Sequence, residues 1–371
     1  MRNGIRRALF VLSLGLVALA AAEITARVDD WIRLGIPLGR TPDYDHDLKY
    51  RDWFGVRGRP NGRYRQWQLN NFGFRGPDMA ALKAPGCRRV LTLGASESFG
   101  LYESENREYP AQLRDSLAGH GCYEVVNSAI VGVGIRGIIR LWENYSARFR
   151  PDVVLLYPSP SFYLAGAQTK WAPMPGKPEA EHELSPRPRL LEQLHNVWET
   201  PAFMQKRRLE RWIAADTAGK PPDWFFTAPP EDRLDLFVAD LDSLVKSIRA
   251  RGVTPIILTH AMRISVPPRP DDQMLLLGWR RLNPRATTAA LLGFETKAAQ
   301  RERDYAAREH VLLVDLARVM SGRKEYFADF VHFTDEGAAT VAGIVARRLV
   351  ESEQTALRAP PQATPRVSAR H

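Results

Sequence analysis

The sequence predicts an α/β fold: a doubly wound, parallel five-stranded sheet with helices on both faces, three layers in all. Short, continuously apolar runs rich in Val, Leu and Ile recur from residue 90 onward, and strands without a polar face must be covered on both sides. Amphipathic stretches of helical length fall between them, the alternation that builds a parallel sheet. A separate apolar run at the N-terminus sets a membrane segment ahead of this domain.

Taken in order, Arg2, Arg6 and Arg7 precede the uncharged run 8–22, and Glu23, Arg27, Asp29 and Asp30 follow it. That is the layout of a signal peptide or signal anchor, with the basic end cytoplasmic and everything downstream extracytoplasmic. The run is short for a spanning helix, and Ala20-Ala21-Ala22 is a usable cleavage site. The following AEITARVDDWIRLG continues as a helix, which favours an uncleaved anchor. Residues 1–30 are assigned to this segment, and 31–85, dense in Gly, Pro, Arg and aromatics without a sustained period, to an irregular lead-in packing on the domain.

The domain proper takes 86–357, with strands expected at 90–94, 124–129, 153–159, 254–260 and 311–316, and helices near 107–118, 136–148, 230–251 and 288–309. From about 160 to 228 the rhythm is interrupted by Trp171, Trp198, Trp212, Trp224 and several prolines. This stretch is too long for a simple connection and reads as a cap or substrate-binding insertion over the strand ends. The Pro-rich, basic tail 358–371 is expected to be disordered.

With 44% hydrophobic and 25% charged residues the 371-residue chain is globular in composition. Its 52 basic against 42 acidic residues give a net charge of +10, which favours anionic surroundings such as lipid headgroups or acidic glycans. Nucleic acid is not an expected partner, because no Lys/Arg block is interleaved with aromatics as a nucleic-acid groove requires. Nothing fixes an oligomeric state. Export makes the only cysteines, Cys87 and Cys122, candidates for a disulfide. Each precedes a predicted strand, and the bridge would close 34 intervening residues and contribute on the order of 3 kcal/mol; two buried thiols are the alternative.

The first strand runs into Gly94-Ala95-Ser96-Glu97-Ser98-Phe99-Gly100. A serine at the carboxyl end of a parallel strand can present its hydroxyl above the sheet and its own N–H at the start of a helix, supplying a nucleophile and an oxyanion donor. Ser98 is the rival, for which a capping role is expected. After the last strand come Asp329-Phe330-Val331-His332 and then Phe333-Thr334-Asp335, a loop entering a helix capped by Thr334 or Asp335. A serine hydroxyl needs a neutral imidazole in reach, and the imidazole needs a carboxylate to orient it. Either motif alone is more often ordinary turn chemistry.

Together, Gly94-x-Ser96, the Asn127-to-Gly132 segment after the second strand and Asp329-x-x-His332 before a C-terminal helix resemble the SGNH (GDSL-like) hydrolase family over roughly residues 68–350. Asn70-Asn71-Phe72-Gly73-Phe74-Arg75-Gly76 is similar to the lead-in of its membrane-anchored bacterial members. The resemblance implies a flavodoxin-like fold, no metal or organic cofactor, and ester hydrolysis or O-acyl transfer, with an acylated carbohydrate or other ester as substrate. It makes Ser96 the nucleophile, with His332 as base and then acid, one ring nitrogen within reach of Ser96, and Asp329 as orienter. The N–H groups of Ser96 and Gly132 become oxyanion donors. Two departures stand out. Ala95 replaces the family's Asp. Ser159-Pro160-Ser161-Phe162 replaces its Gly-x-Asn-Asp, so Ser161 falls where an oxyanion-hole Asn is usual and could offer a hydroxyl. His260, at the end of the fourth strand, and Tyr157 and Tyr163 are candidate substrate contacts. A non-catalytic glycan-binding or scaffolding protein that keeps the fold is the alternative.

Overall fold

The computed structural model describes residues 2–52, 55–164, 188–190 and 201–358. Trp171, Trp198, residues 165–187 and 191–200 of the expected cap, and nearly all of the expected disordered tail lie outside them.

Helix α1 (Arg2–Leu34) runs unbroken through Ala20-Ala21-Ala22. Its stretch Gly4–Leu34 is long and apolar enough to cross a membrane. Its polar end is engaged: the N–H groups of Arg189 and Leu190 donate to Glu23, and the Arg189 side chain donates to Asp30 at 2.6 Å.

The lead-in is more regular than expected. It holds a short helix, α2 (Tyr44–Leu48), and two small antiparallel sheets, β1 (Lys49–Asp52) with β2 (Gly55–Gly58) and β3 (Arg63–Tyr64) with β4 (Trp67–Gln68). The order comes from close backbone approach that periodicity does not register: a Cβ on Gly73, whose φ is +76°, would lie 2.1 Å from the Gly58 carbonyl oxygen.

The domain is built on β5 (Arg88–Gly94), β6 (Tyr123–Asn127), β7 (Val153–Tyr157), β8 (Thr254–Leu258) and β9 (Leu312–Val314). They lie side by side, all parallel, in the order β6-β5-β7-β8-β9. This is the flavodoxin-like order, with its switch point between β5 and β7. On β5 the apolar run divides by alternation. Leu91 and Leu93 join Val154, Leu156 and Ile257 against one set of helices, while Val90 joins Leu155, Ile256 and Leu258 against another.

The first set is α5 (Ile135–Asn144), α7 (Glu231–Arg249) and α9 (Thr288–Arg308), the second α4 (Tyr109–Ser116) and α11 (Asp335–Arg358). Between α5 and α7 in chain order, α6 (Ala202–Thr217) packs on α8 (Gln273–Leu282), and the five-residue α10 (Leu316–Met320) follows β9. Each of the last four strands ends two residues sooner than expected, so Ser159 and His260 belong to rim loops.

Cys87 and Cys122 are disulfide-bonded just before β5 and β6, with Cα atoms 4.5 Å apart. Beside them Arg89, fully buried, forks onto Glu124 and donates to the carbonyls of Ala80, Ala81 and Phe149, binding lead-in, sheet and helix layer together.

Candidate active site

At the end of β5 the chain turns into the short helix α3 (Ser96–Phe99), of which Ser96 is the first residue. Gly94 permits the turn, since a Cβ there would lie 2.2 Å from Ser98 Oγ. Ser98 does not cap the helix as expected. Its hydroxyl is buried and pairs with Tyr109 OH at 3.0 Å, tying the turn to α4. Asn127 Nδ2 donates to the Ser98 carbonyl at 2.9 Å. The Arg75 guanidinium, paired with Glu108 at 3.2 Å, donates to the carbonyls of Phe99 and Gly100 and so satisfies the end of α3. The lead-in motif 70–76 thus braces the serine turn.

The opposing loop organises itself around Asp329. One carboxylate oxygen accepts the N–H groups of Val331 and His332, both at 2.9 Å, and the other accepts His332 Nδ1 at 2.7 Å. Thr334 caps α11 by accepting the Gly337 N–H at 3.1 Å, as expected for that position. Burial disfavours the imidazolium of His332, but the Asp329 carboxylate outweighs it, with Glu97 and Glu103 adding to it, and the pKa is raised above the ordinary histidine value.

Ser96, Gly132, Ser161 and His332 line one cavity of about 250 Å³, whose other walls include Val131, Phe162, Trp279 and Phe330. Trp279 and Phe330 are stacked, with ring centroids 5.1 Å apart. Gly132 has a φ of +80°, a conformation that favours glycine. No backbone acceptor among the described residues engages the N–H of Ser96 or Gly132.

Ser161 donates its own N–H to Glu295 at 3.1 Å, while its hydroxyl makes no hydrogen bond among the described residues. The expected bond between Ser96 and His332 is not made. Ser96 Oγ donates instead to Glu97 at 3.3 Å, and the buried His332 Nε2 has no partner among the described residues. An ionised carboxylate next in sequence is the stronger acceptor for the hydroxyl at rest.

Three expected substrate contacts are corrected. Tyr157 is fully buried, and its hydroxyl accepts the Ala261 N–H at 3.1 Å, which anchors the loop after β8. Tyr163 donates to Asp240 at 2.5 Å and packs edge-on against Phe237, which draws it into the helix layer. His260 is 2% exposed and is not among the residues that line the Ser96 cavity. Its Nδ1 is 2.7 Å from Glu295, and its Nε2 is 3.2 Å from Glu97.

Sequence reasoning missed Glu97 and Glu295. Glu97 also accepts the Ser159 hydroxyl at 2.8 Å. Burial opposes its charge, yet the hydrogen bond and charge of His260, with the charge of His332, hold it ionised down to about 2. Burial likewise opposes the charge of His260, but Glu295 and Glu97 carry it up to about 10. A signal was present: Glu295 and Glu302 fall on the apolar side of the helix predicted at 288–309, where an acidic residue needs a partner.

No protein-family model and no curated protein matches the chain. Solved structures do resemble it. A lipase/acylhydrolase from Enterococcus faecalis is 14% identical, with a TM-score of 0.40 over 71% of this chain and 96% of that one. A catalytic mutant of an acetylxylan esterase from Geobacillus stearothermophilus is 15% identical, with a TM-score of 0.40 over 71% and 94%. A GDSL-like lipase from Bacteroides thetaiotaomicron is 13% identical, with a TM-score of 0.37 over 72% and 89%. These likenesses are loose, and the site stands on its own geometry.

Proposed function

We propose that the chain is a serine ester hydrolase or O-acyltransferase of the SGNH type, acting on O-acyl groups of a bacterial envelope glycan from an anchor in the inner membrane. The observation that carries the chemistry is the shared cavity of Ser96, Gly132 and His332, with Asp329 bonded to the far side of the imidazole. On substrate binding the Ser96 hydroxyl turns from Glu97 to His332 Nε2, which takes its proton as Oγ attacks the ester carbonyl. The oxyanion is met by the N–H groups of Ser96 and Gly132 and by the Ser161 hydroxyl. His332 then protonates the departing alcohol, and water or a sugar hydroxyl resolves the acyl-enzyme. The apolar walls suit an acyl group. The apolar helix α1 and the net charge of +10 support an envelope setting.

Labelling with a fluorophosphonate probe tests this reading: the wild type is labelled and Ser96→Ala is not. Release of acetate from an acetyl ester, with and without a glycan acceptor, separates hydrolase from transferase. The second reading, a non-catalytic glycan-binding or scaffolding protein, is favoured by one observation, the hydroxyl of Ser96 directed at Glu97 rather than at His332. It predicts no labelling of either form.

A further inference from the structure

We infer that Glu97, His260 and Glu295 form a buried carboxylate–imidazolium–carboxylate bridge that holds the backbone turn carrying Ser96 against the Ser159–Ser161 loop, doing for the oxyanion side of the site what the absent Asn would do, while the Ser96 hydroxyl's own bond to Glu97 is a resting contact that substrate binding breaks. The inference rests on Ser96 being the nucleophile. These are positioning residues, since none is argued to touch substrate.

The bridge joins three elements. Glu97 comes from α3, His260 from the loop after β8, and Glu295 from α9, and all three side chains are 3% exposed or less. Each carboxylate carries a second load from the cavity wall. Glu97 accepts the hydroxyls of Ser96 at 3.3 Å and Ser159 at 2.8 Å, and Glu295 accepts the Ser161 N–H at 3.1 Å. One imidazolium therefore fixes the nucleophile's turn and both ends of the Ser159-Pro160-Ser161 segment. The geometry also uses up the Ser161 N–H, which leaves its hydroxyl as the group free to face the cavity.

A solely structural role would be served as well by apolar packing, since replacing a buried ion pair with hydrophobic residues is often neutral or stabilising. The charged bridge is instead built against the one wall where a transition state needs fixed donors.

The groups that face the bridge set its titration. His260 meets Glu97 and Glu295, packs on the Tyr157 ring at 5.4 Å, and has Glu302 nearby, with Arg303 beyond. Burial holds Glu302 protonated up to about 8. Glu97 also feels His332 and Tyr109. With the imidazolium present Glu97 stays ionised throughout the assay range. Without it, burial is left to raise its pKa.

The experiment is the fluorophosphonate labelling rate of the full-length protein against pH, with folding checked by circular dichroism. The wild type should show the ionisation of His332 and none of Glu97. His260→Gln should label roughly 10- to 100-fold more slowly at neutral pH and rise with pH in two steps as Glu97 ionises in addition. Glu295→Gln keeps an acceptor for the Ser161 N–H but removes the charge facing His260, and should also gain a second step.

Labelling of His260→Gln at the wild-type rate, or slowed by the same factor at every pH, would overturn the inference and leave the proposed nucleophile standing. An unlabelled wild type would overturn the nucleophile itself. If neither variant folds, the bridge is structural support and the positioning role is overturned.

Discussion

Asp329 holds His332 twice, by the ring Nδ1 at 2.7 Å and by the backbone N–H at 2.9 Å, so the imidazole cannot turn without unmaking the loop that carries it. The three-residue spacing thus does two jobs. It closes the turn and leaves Nε2 as the ring nitrogen without a partner among the described residues, on a side chain that lines the cavity.

The pKa of His332 is raised chiefly by Asp329 against the effect of burial. A base acts only when neutral, so labelling of Ser96 should rise with pH to a plateau, with its midpoint above the ordinary imidazole value. Asp329→Asn should move that midpoint down and lower the plateau by roughly 10²- to 10⁴-fold. Rate–pH profiles of the two proteins check both effects.

Gly132→Ala should depress labelling by roughly 10²-fold or more, because a side chain at φ +80° is strained and shifts the backbone of a residue that lines the cavity. The melting temperature should move little, which separates this loss from unfolding.

Arg89 is fully buried, with Glu124 as its counter-ion and three carbonyls as acceptors. Arg89→Met should destabilise the fold by about 3–5 kcal/mol, since three carbonyls lose their donor and the partly exposed Glu124 loses its counter-ion. Arg89→Lys should not rescue it, as an ammonium cannot span the fork. Denaturant titration measures both.

Glu302 is held protonated by burial, its pKa raised from 4.5 to about 8. The folded form therefore keeps a proton that the unfolded chain gives up, and the stability this group contributes is lost as pH rises through that window. Glu302→Gln should flatten the decline of melting temperature with pH. The decline should not vanish, because Glu103 is raised to about 8 in the same way.

Reduction of the Cys87–Cys122 disulfide should lower stability by about 3 kcal/mol while leaving the labelling rate near that of the oxidised protein. Bridge and serine stand at opposite ends of β5. Melting and labelling with and without reductant check this.

The sheet was legible because fully covered strands write themselves as apolar runs, and Leu91 and Val90 can face opposite layers without any polar break between them. The strand ends were not, because Ser159 and His260 leave the ladder for side-chain partners distant in sequence. Ser96, Gly132, His332 and Asp329 could be singled out only because their motifs together resemble a known family, since each turn alone is ordinary. The Glu97–His260–Glu295 bridge could not, since its members are joined only by tertiary contact. Tyr157 and Tyr163 misled for the same reason: a tyrosine near a strand end looks the same whether its hydroxyl meets solvent or a buried partner.

The cavity takes Ser96 from the opening strand of the domain and His332 from beyond the closing one. A ribosome delivers these groups in that order, with nearly the whole domain between them. Throughout synthesis the serine has no imidazole beside it, and a chain cut short before Asp329 leaves it without one. On the proposed reading of Ser96 as nucleophile, reactivity therefore waits for the segment that carries Asp329 and His332.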